Sequence, residues 1–135
     1  MPTFRDPSKL KAHLKKALDA LQAETLITTQ SELGSAAVSP IDSGRLRSSW
    51  FASEGAGTGA VAPEGTNSPN TDANQLRVDS RKTYTLQNSL PYVQRVALEG
   101  HVVSKDTNWF HSFRDQRIPK IQEEAARQVK NEFEL

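Results

Sequence analysis

The chain has 135 residues, 17 basic against 16 acidic side chains, a formal net charge of +1 and no cysteine. That length suits one domain. The charge balance argues against a general nucleic-acid or membrane-surface role, and the lack of thiols excludes disulfide scaffolds, cysteine zinc sites and thiol nucleophiles.

No apolar run approaches the roughly 18–20 residues that span a bilayer. The opening MPTFRDPSKLKAHLKK lacks an apolar signal-peptide core, so the expectation is a protein made and kept in a cytoplasm. The first element is a helix. Asp6 can cap it, Pro7 suits its first position, and Gly34 suits the residue just past its end. Leu10, Leu14, Ala17, Leu18 and Leu21 follow the spacing of one buried stripe, which weakens after Thr25. Arg5, Lys9, Lys11, Lys15 and Lys16 outnumber Asp6 and Asp19 here. They form either a solvated face or a surface for nucleic acid or an acidic partner.

Pro40 discourages helix at Ser39, and Asp42 is a good N-cap for a short turn over 43–47. Leu46, Trp50 and Ala52 share one parity and predict a strand, with Arg45 and Arg47 flanking Leu46. Arginine pairs bidentately and stacks on aromatics, so these two are either surface charge or interface anchors.

Leu, Ile, Val and Phe total 29 residues, or 21%, close to the roughly 20% below which chains tend to disorder. The deficit sits in residues 53–75, where Val61 is the sole member of that set; the remainder is ordinary for a small domain. Residues 54–75 therefore predict a long polar loop. Gly55, Gly57 and Gly59 lack the flanking strand, helix and lysine of a phosphate-binding turn.

Leu76, Val78, Tyr84, Leu86 and Leu90 fall on even positions, which predicts strand and a hairpin turning near 79–82. Pro91 ends it and opens a short helix over 92–99, closed by Gly100, with Tyr92, Val96 and Glu99 on one side. In 106–135, Ile118, Ile121, Ala125 and Val129 make a helical stripe with Phe133 near its line. Pro119 implies two helices meeting there or one long helix bent there; an internal proline costs about 3 kcal/mol, which favours a break or kink.

Chemistry is thinly signalled. His13, His101 and His111 have no metal-ligand spacing, even with Asp106 and Asp115, and no Gly-x-Ser-x-Gly elbow exists. Glu123, Glu124, Glu132 and Glu134 lie on a helix with an aliphatic inner stripe and are expected to face water. No cofactor, metal or catalytic residue is expected. The aromatics Trp50, Phe51, Tyr84, Tyr92, Trp109, Phe110 and Phe113 bury about 150–250 Å² each, and some must lie near the surface as interface anchors.

Two motifs carry a resemblance. Pro40-Ile41-Asp42-Ser43-Gly44-Arg45-Leu46-Arg47-Ser48-Ser49-Trp50 resembles the Pro-hydrophobic-Asp-Thr-Gly-x-Leu-x-x-Ser signature of the neck and tail-completion proteins of tailed bacteriophages. Asn88-Ser89-Leu90-Pro91-Tyr92, then Leu98-Glu99-Gly100-His101, is similar to that family's Asn-x-x-Pro-Tyr and Glu-x-Gly-His elements. The order of elements is similar over residues 8–133. Ser43 departs from the usual Thr, Glu99 abuts Gly100 directly, and VVSKDTN replaces a Pro/Gly-rich continuation.

The resemblance implies an α+β fold: a small antiparallel sheet packed against an N-terminal and a C-terminal helix, with a long flexible loop. It implies a structural virion protein, not an enzyme, forming a homo-oligomeric ring at the head–tail junction or top of the tail. Its partners would be copies of itself, other neck, connector or tail proteins, and DNA passing through the channel without sequence-specific binding. It would be assembled in the host cytoplasm, without a membrane.

The subunit-interface candidates are Arg45, Arg47, Tyr92, Glu99 and Trp109, together with loop 54–75, whose loss is expected to spare folding. Trp50, Leu86 and Tyr92 are expected to support the fold. The alternatives are a small DNA-binding regulatory protein using the basic N-terminal helix and, last, a hydrolase using His101, His111 and Asp106.

Overall fold

The structure, a computed structural model, describes residue 3 and residues 5–40, 44–99 and 108–135. Helix α1 (Pro7–Leu33) starts where the Asp6–Pro7 pair predicts. Asp6 Oδ1 accepts the Ser8 amide at 2.9 Å, and Pro7 sits in the first turn, where a missing N–H leaves no bond unmade. Gly34 ends the helix for another reason than the left-handed cap that glycine usually supplies. Its φ of −75° is open to any residue. A side chain is excluded instead by Pro69, whose Cβ lies 2.7 Å from where a Cβ on Gly34 would stand.

The buried half of α1 is the reverse of the one its leucines predict. Leu14 and Leu18 are 40% and 53% exposed, and of the stripe Ala17 alone is buried. The polar last turns place Thr29, Gln30 and Leu33 inside. This happens because the sheet and the chain around Asp72 pack on the C-terminal half, where a glutamine side chain can satisfy exposed backbone.

Helix α2 (Arg45–Ser48) contains Leu46, which is buried from the helix and not from a strand. Strand β1 (Trp50–Glu54) pairs antiparallel with β2 (Tyr84–Asn88), Trp50 opposite Asn88 and Glu54 opposite Tyr84. The hairpin expected at 79–82 is therefore corrected. A turn does form there, with the Lys82 amide on the Asp79 carbonyl, but Leu76 and Val78 precede it outside any strand. The long connection between the strands carries one 3₁₀ turn, Asp72–Gln75, and buries Ala62 and Ala73.

After β2 a π-helical turn, Gln94–Leu98, stands where the short helix is predicted. Helix α3 (Trp109–Ser112), a second π-helical turn (Phe113–Arg117) and helix α4 (Ile118–Glu132) follow one another without interruption. Pro119 lies in the first turn of α4, and the wider turn before it takes the place of the expected break. Helix α4 runs antiparallel to α1: Arg117 pairs with Glu32 at one end, and Phe133 meets His13 at the other.

The core gathers Leu33, Leu46, Trp50, Leu90, Trp109, Phe113 and Ile121. Leu86 packs on this cluster from β2, whereas Tyr92, expected to support the fold, is exposed. The fold is α+β, a two-stranded antiparallel sheet against N- and C-terminal helices. Among the described residues no helix is long and apolar enough to cross a membrane.

Candidate subunit interface

The first motif is built around Gly44. Its φ of +85° suits glycine, and a Cβ there would overlap the Asn67 side chain. Asp42, the expected cap of this turn, lies outside the described residues, as do Ile41 and Ser43. From Gly44 the next residues turn toward the loop. Arg45 Nε donates to the Ala62 carbonyl at 2.8 Å. Arg47 donates from Nε to Asn67 Oδ1 at 2.9 Å, from Nη2 to the Asn67 carbonyl at 2.8 Å, and from Nη1 to the Gly34 carbonyl at 3.1 Å. A planar five-donor group is suited to such a three-way junction, and a lysine would not reproduce it.

The two serines complete the attachment. Ser48 Oγ donates to the Gly44 carbonyl and accepts the Ser68 amide; Ser49 Oγ donates to the Arg45 carbonyl and accepts the Ala62 amide. Thus the motif's polar side chains hold the 54–75 loop from inside the molecule. Arg45 and Arg47, expected to face a neighbouring subunit, are engaged with the chain's own loop.

A second junction lies under β1. Gln30, 2% exposed, donates from Nε2 to the Trp50 carbonyl at 3.0 Å and to Asp72 Oδ1 at 2.5 Å, and its Oε1 accepts the Ala73 amide at 3.0 Å. The same Asp72 oxygen accepts the Ala52 amide at 3.0 Å, which satisfies the outer edge of β1. Trp50 Nε1 donates to Ser39 Oγ, which itself donates to the Leu33 carbonyl, and the indole stacks on Phe110. Gln30, Ser39 and Asp72 carry no spacing signal in the sequence. Their roles depend on backbone groups of distant segments.

The structure brings the two motifs together. Asn88 Nδ2 donates to the Leu46 carbonyl at 2.9 Å, and Asn88 Oδ1 accepts the Leu90 amide at 3.2 Å. Beyond it, Tyr92, Leu98 and Glu99 are exposed, so Tyr92 and Glu99 remain available to a neighbour. Trp109 does not. It is 7% exposed, its Nε1 donates to the Val96 carbonyl at 3.0 Å, and it belongs to the chain's own core, which leaves little of it for the interface where it was expected.

Ion pairs tie the ends of the fold. Arg117 binds Glu32 through Nε and Nη2 at 2.7 Å each and also Glu124, and these carboxylates, Glu32 first, raise its pKa. Asp79 lies well below the ordinary carboxylate range, mainly through Arg81 and then Lys15. Asp19 is lowered by Lys15 and by the Ser80 amide.

His111 Nε2 lies 3.0 Å from the Leu98 carbonyl, and its Nδ1 lies 3.2 Å from Arg114. His101 and Asp106, named with it for hydrolysis, lie outside the described residues, as does Gly100. Among the described residues no group of three or more His, Asp or Glu could hold a metal ion. No family model, no curated protein and no solved structure matches this chain.

Proposed function

We propose that this chain is a structural subunit of a tailed-phage neck or tail top, assembling with its own copies into a ring that leaves a channel for DNA. The observation that carries the reading is the contact between the two motifs, Asn88 on Leu46, which makes one buried junction of two segments that resemble elements of one family in order. A ring subunit needs a heterologous, closing interface. Tyr92, Leu98 and Glu99 supply exposed apolar and acidic groups for one side of it. A channel that must release DNA is served by a near-neutral chain.

The reading includes virion localisation and no catalysis. Its test is mass spectrometry and imaging of purified phage particles from the source of the gene. The expected result is the chain at the head–tail joint in multiple symmetric copies; its absence from particles would end the proposal.

The DNA-binding alternative is less well supported. Lys15 is held by Asp19 and Asp79, and exposed leucines interrupt the basic face of α1.

A further inference from the structure

The two edges of the sheet are finished differently. The Gly55 amide on the Thr83 carbonyl at 2.9 Å fixes the phase of the ladder, so Phe51 with Gln87 and Ser53 with Thr85 exchange its bonds. Trp50, Ala52 and Glu54 on β1, and Tyr84, Leu86 and Asn88 on β2, therefore turn their N–H and C=O groups outward. On β1, side chains take them: Gln30 Nε2 donates to the Trp50 carbonyl, and Asp72 Oδ1 accepts the Ala52 amide. On β2, none of the outward backbone groups of Tyr84, Leu86 and Asn88 has a hydrogen-bond partner among the described residues. Tyr84 and Leu86 are half-buried, as suits a strand packed by one face. The usual protection of an edge is missing, because residues 83–90 carry neither charge nor proline.

We propose that β2 pairs antiparallel with β2 of a second copy, about a two-fold axis at Leu86, to make one four-stranded sheet from two chains. In that register Leu86 exchanges two bonds with its own copy. On either side Tyr84 exchanges two with Asn88 of the partner subunit, about six in all. Three observations choose this occupant. A chain can add a strand only through an unpaired extended edge of its own, and among the described residues β2 is the strand of this chain that has one. The strand is uncharged, so two copies meet without like-charge opposition, and Lys82 falls opposite Leu90 of the partner subunit. The far edges are closed by Gln30 and Asp72, so pairing stops at a dimer and does not propagate into a fibre. The inference does not rest on the ring reading, which uses the side of the molecule at Tyr92 and Glu99.

The test is sedimentation equilibrium of the whole protein from roughly 1 μM to 1 mM, with amide hydrogen exchange at both ends of the range. The expected result is a monomer–dimer equilibrium, with exchange at the Leu86 amide slowed by about tenfold or more in the dimer. Two variants test the register, in which Thr85 faces Gln87 of the partner subunit. Thr85→Lys with Gln87→Lys opposes cations and should weaken dimerisation by about tenfold or more, whereas Thr85→Lys with Gln87→Glu opposes unlike charges and should retain it. Both lose the Thr85 hydroxyl bond to the Gly55 carbonyl alike, so their difference reports charge across the two-fold. Exchange in the natural chain keeps the test valid if a variant misfolds. A chain that stays monomeric over the whole range would overturn the proposal. So would a dimer whose Leu86 amide exchanges as fast as in the monomer, or equal dimerisation of the two charge variants. If the chain is missing from particles but dimerises through Leu86, the ring reading fails and the strand pairing stands.

Discussion

Gly34 and Pro69 approach so closely that a methyl group on Gly34 would stand 2.7 Å from the Pro69 Cβ. The contact joins the end of α1 to the middle of the long loop. It explains why glycine ends this helix when its backbone angles do not require one.

Gly34→Ala should therefore destabilise through crowding, by about 1–3 kcal/mol. Pro69→Gly in the same chain should recover most of that loss, beyond the entropic cost of the added glycine itself. Urea denaturation of the two single variants and the double variant gives the coupling. Additive losses would mean that Pro69 is not what excludes the side chain.

The loop is bonded to Arg45, Arg47, Ser48 and Ser49, which argues that its loss destabilises the fold, against the expectation that its loss spares folding. Replacing residues 56–70 by a short Gly/Ser linker removes the Ala62, Asn67 and Ser68 groups that Arg45, Arg47, Ser48 and Ser49 bind. Ser48 and Ser49 are buried, so the loss should exceed about 3 kcal/mol, at roughly 1 kcal/mol or more per bond. Chemical denaturation measures it. A linker variant as stable as the natural chain would show that these bonds contribute nothing.

The Lys15, Asp19, Asp79 and Arg81 cluster sets an acid dependence. Asp19 and Asp79 have lower pKa values folded than unfolded, so their contribution is complete above about pH 5 and is lost as pH falls through about 4 and below. The raised pKa of Lys15 acts at the other extreme, where its contribution fades as pH rises above about 10. Asp19→Asn with Asp79→Asn should thus melt lower than the natural chain at pH 6, and the gap should narrow as pH falls from about 5 to 3. A gap constant with pH would mean that charge plays no part.

The outline of α1 is legible in the sequence because Asp6, Pro7 and Gly34 act locally. Its buried side is not. Periodicity reports an amphipathic helix but not which half meets a partner, and here the Leu14–Leu18 half is left open while Gln30 goes inside. β2 is legible from alternation, yet its partner is β1, more than thirty residues away, and alternation carries no pairing information. The signature from Gly44 to Trp50 is legible as a unit. What it grips is hidden, since Arg45, Arg47, Ser48 and Ser49 bind loop backbone and Asn67 in a segment whose composition looks featureless.

Gln30 gives the most discriminating change. Its amide nitrogen faces two acceptors, the Trp50 carbonyl and the Asp72 carboxylate, so Gln30→Glu turns donor into acceptor and sets two carboxylates side by side in the interior. At pH 7 the loss should be about 3–5 kcal/mol, the scale of an uncompensated buried charge. Repulsion raises the folded-state pKa of the pair, so the folded form binds a proton that the unfolded form does not until lower pH. The deficit relative to the natural chain should therefore shrink as pH falls from 7 toward 5, where the shared proton restores one donor. Gln30→Leu lacks that proton, and its deficit should stay flat over the same range. Parallel denaturation of the three chains at both pH values distinguishes the cases, and a flat deficit for Gln30→Glu would place Asp72 too far away to share a proton.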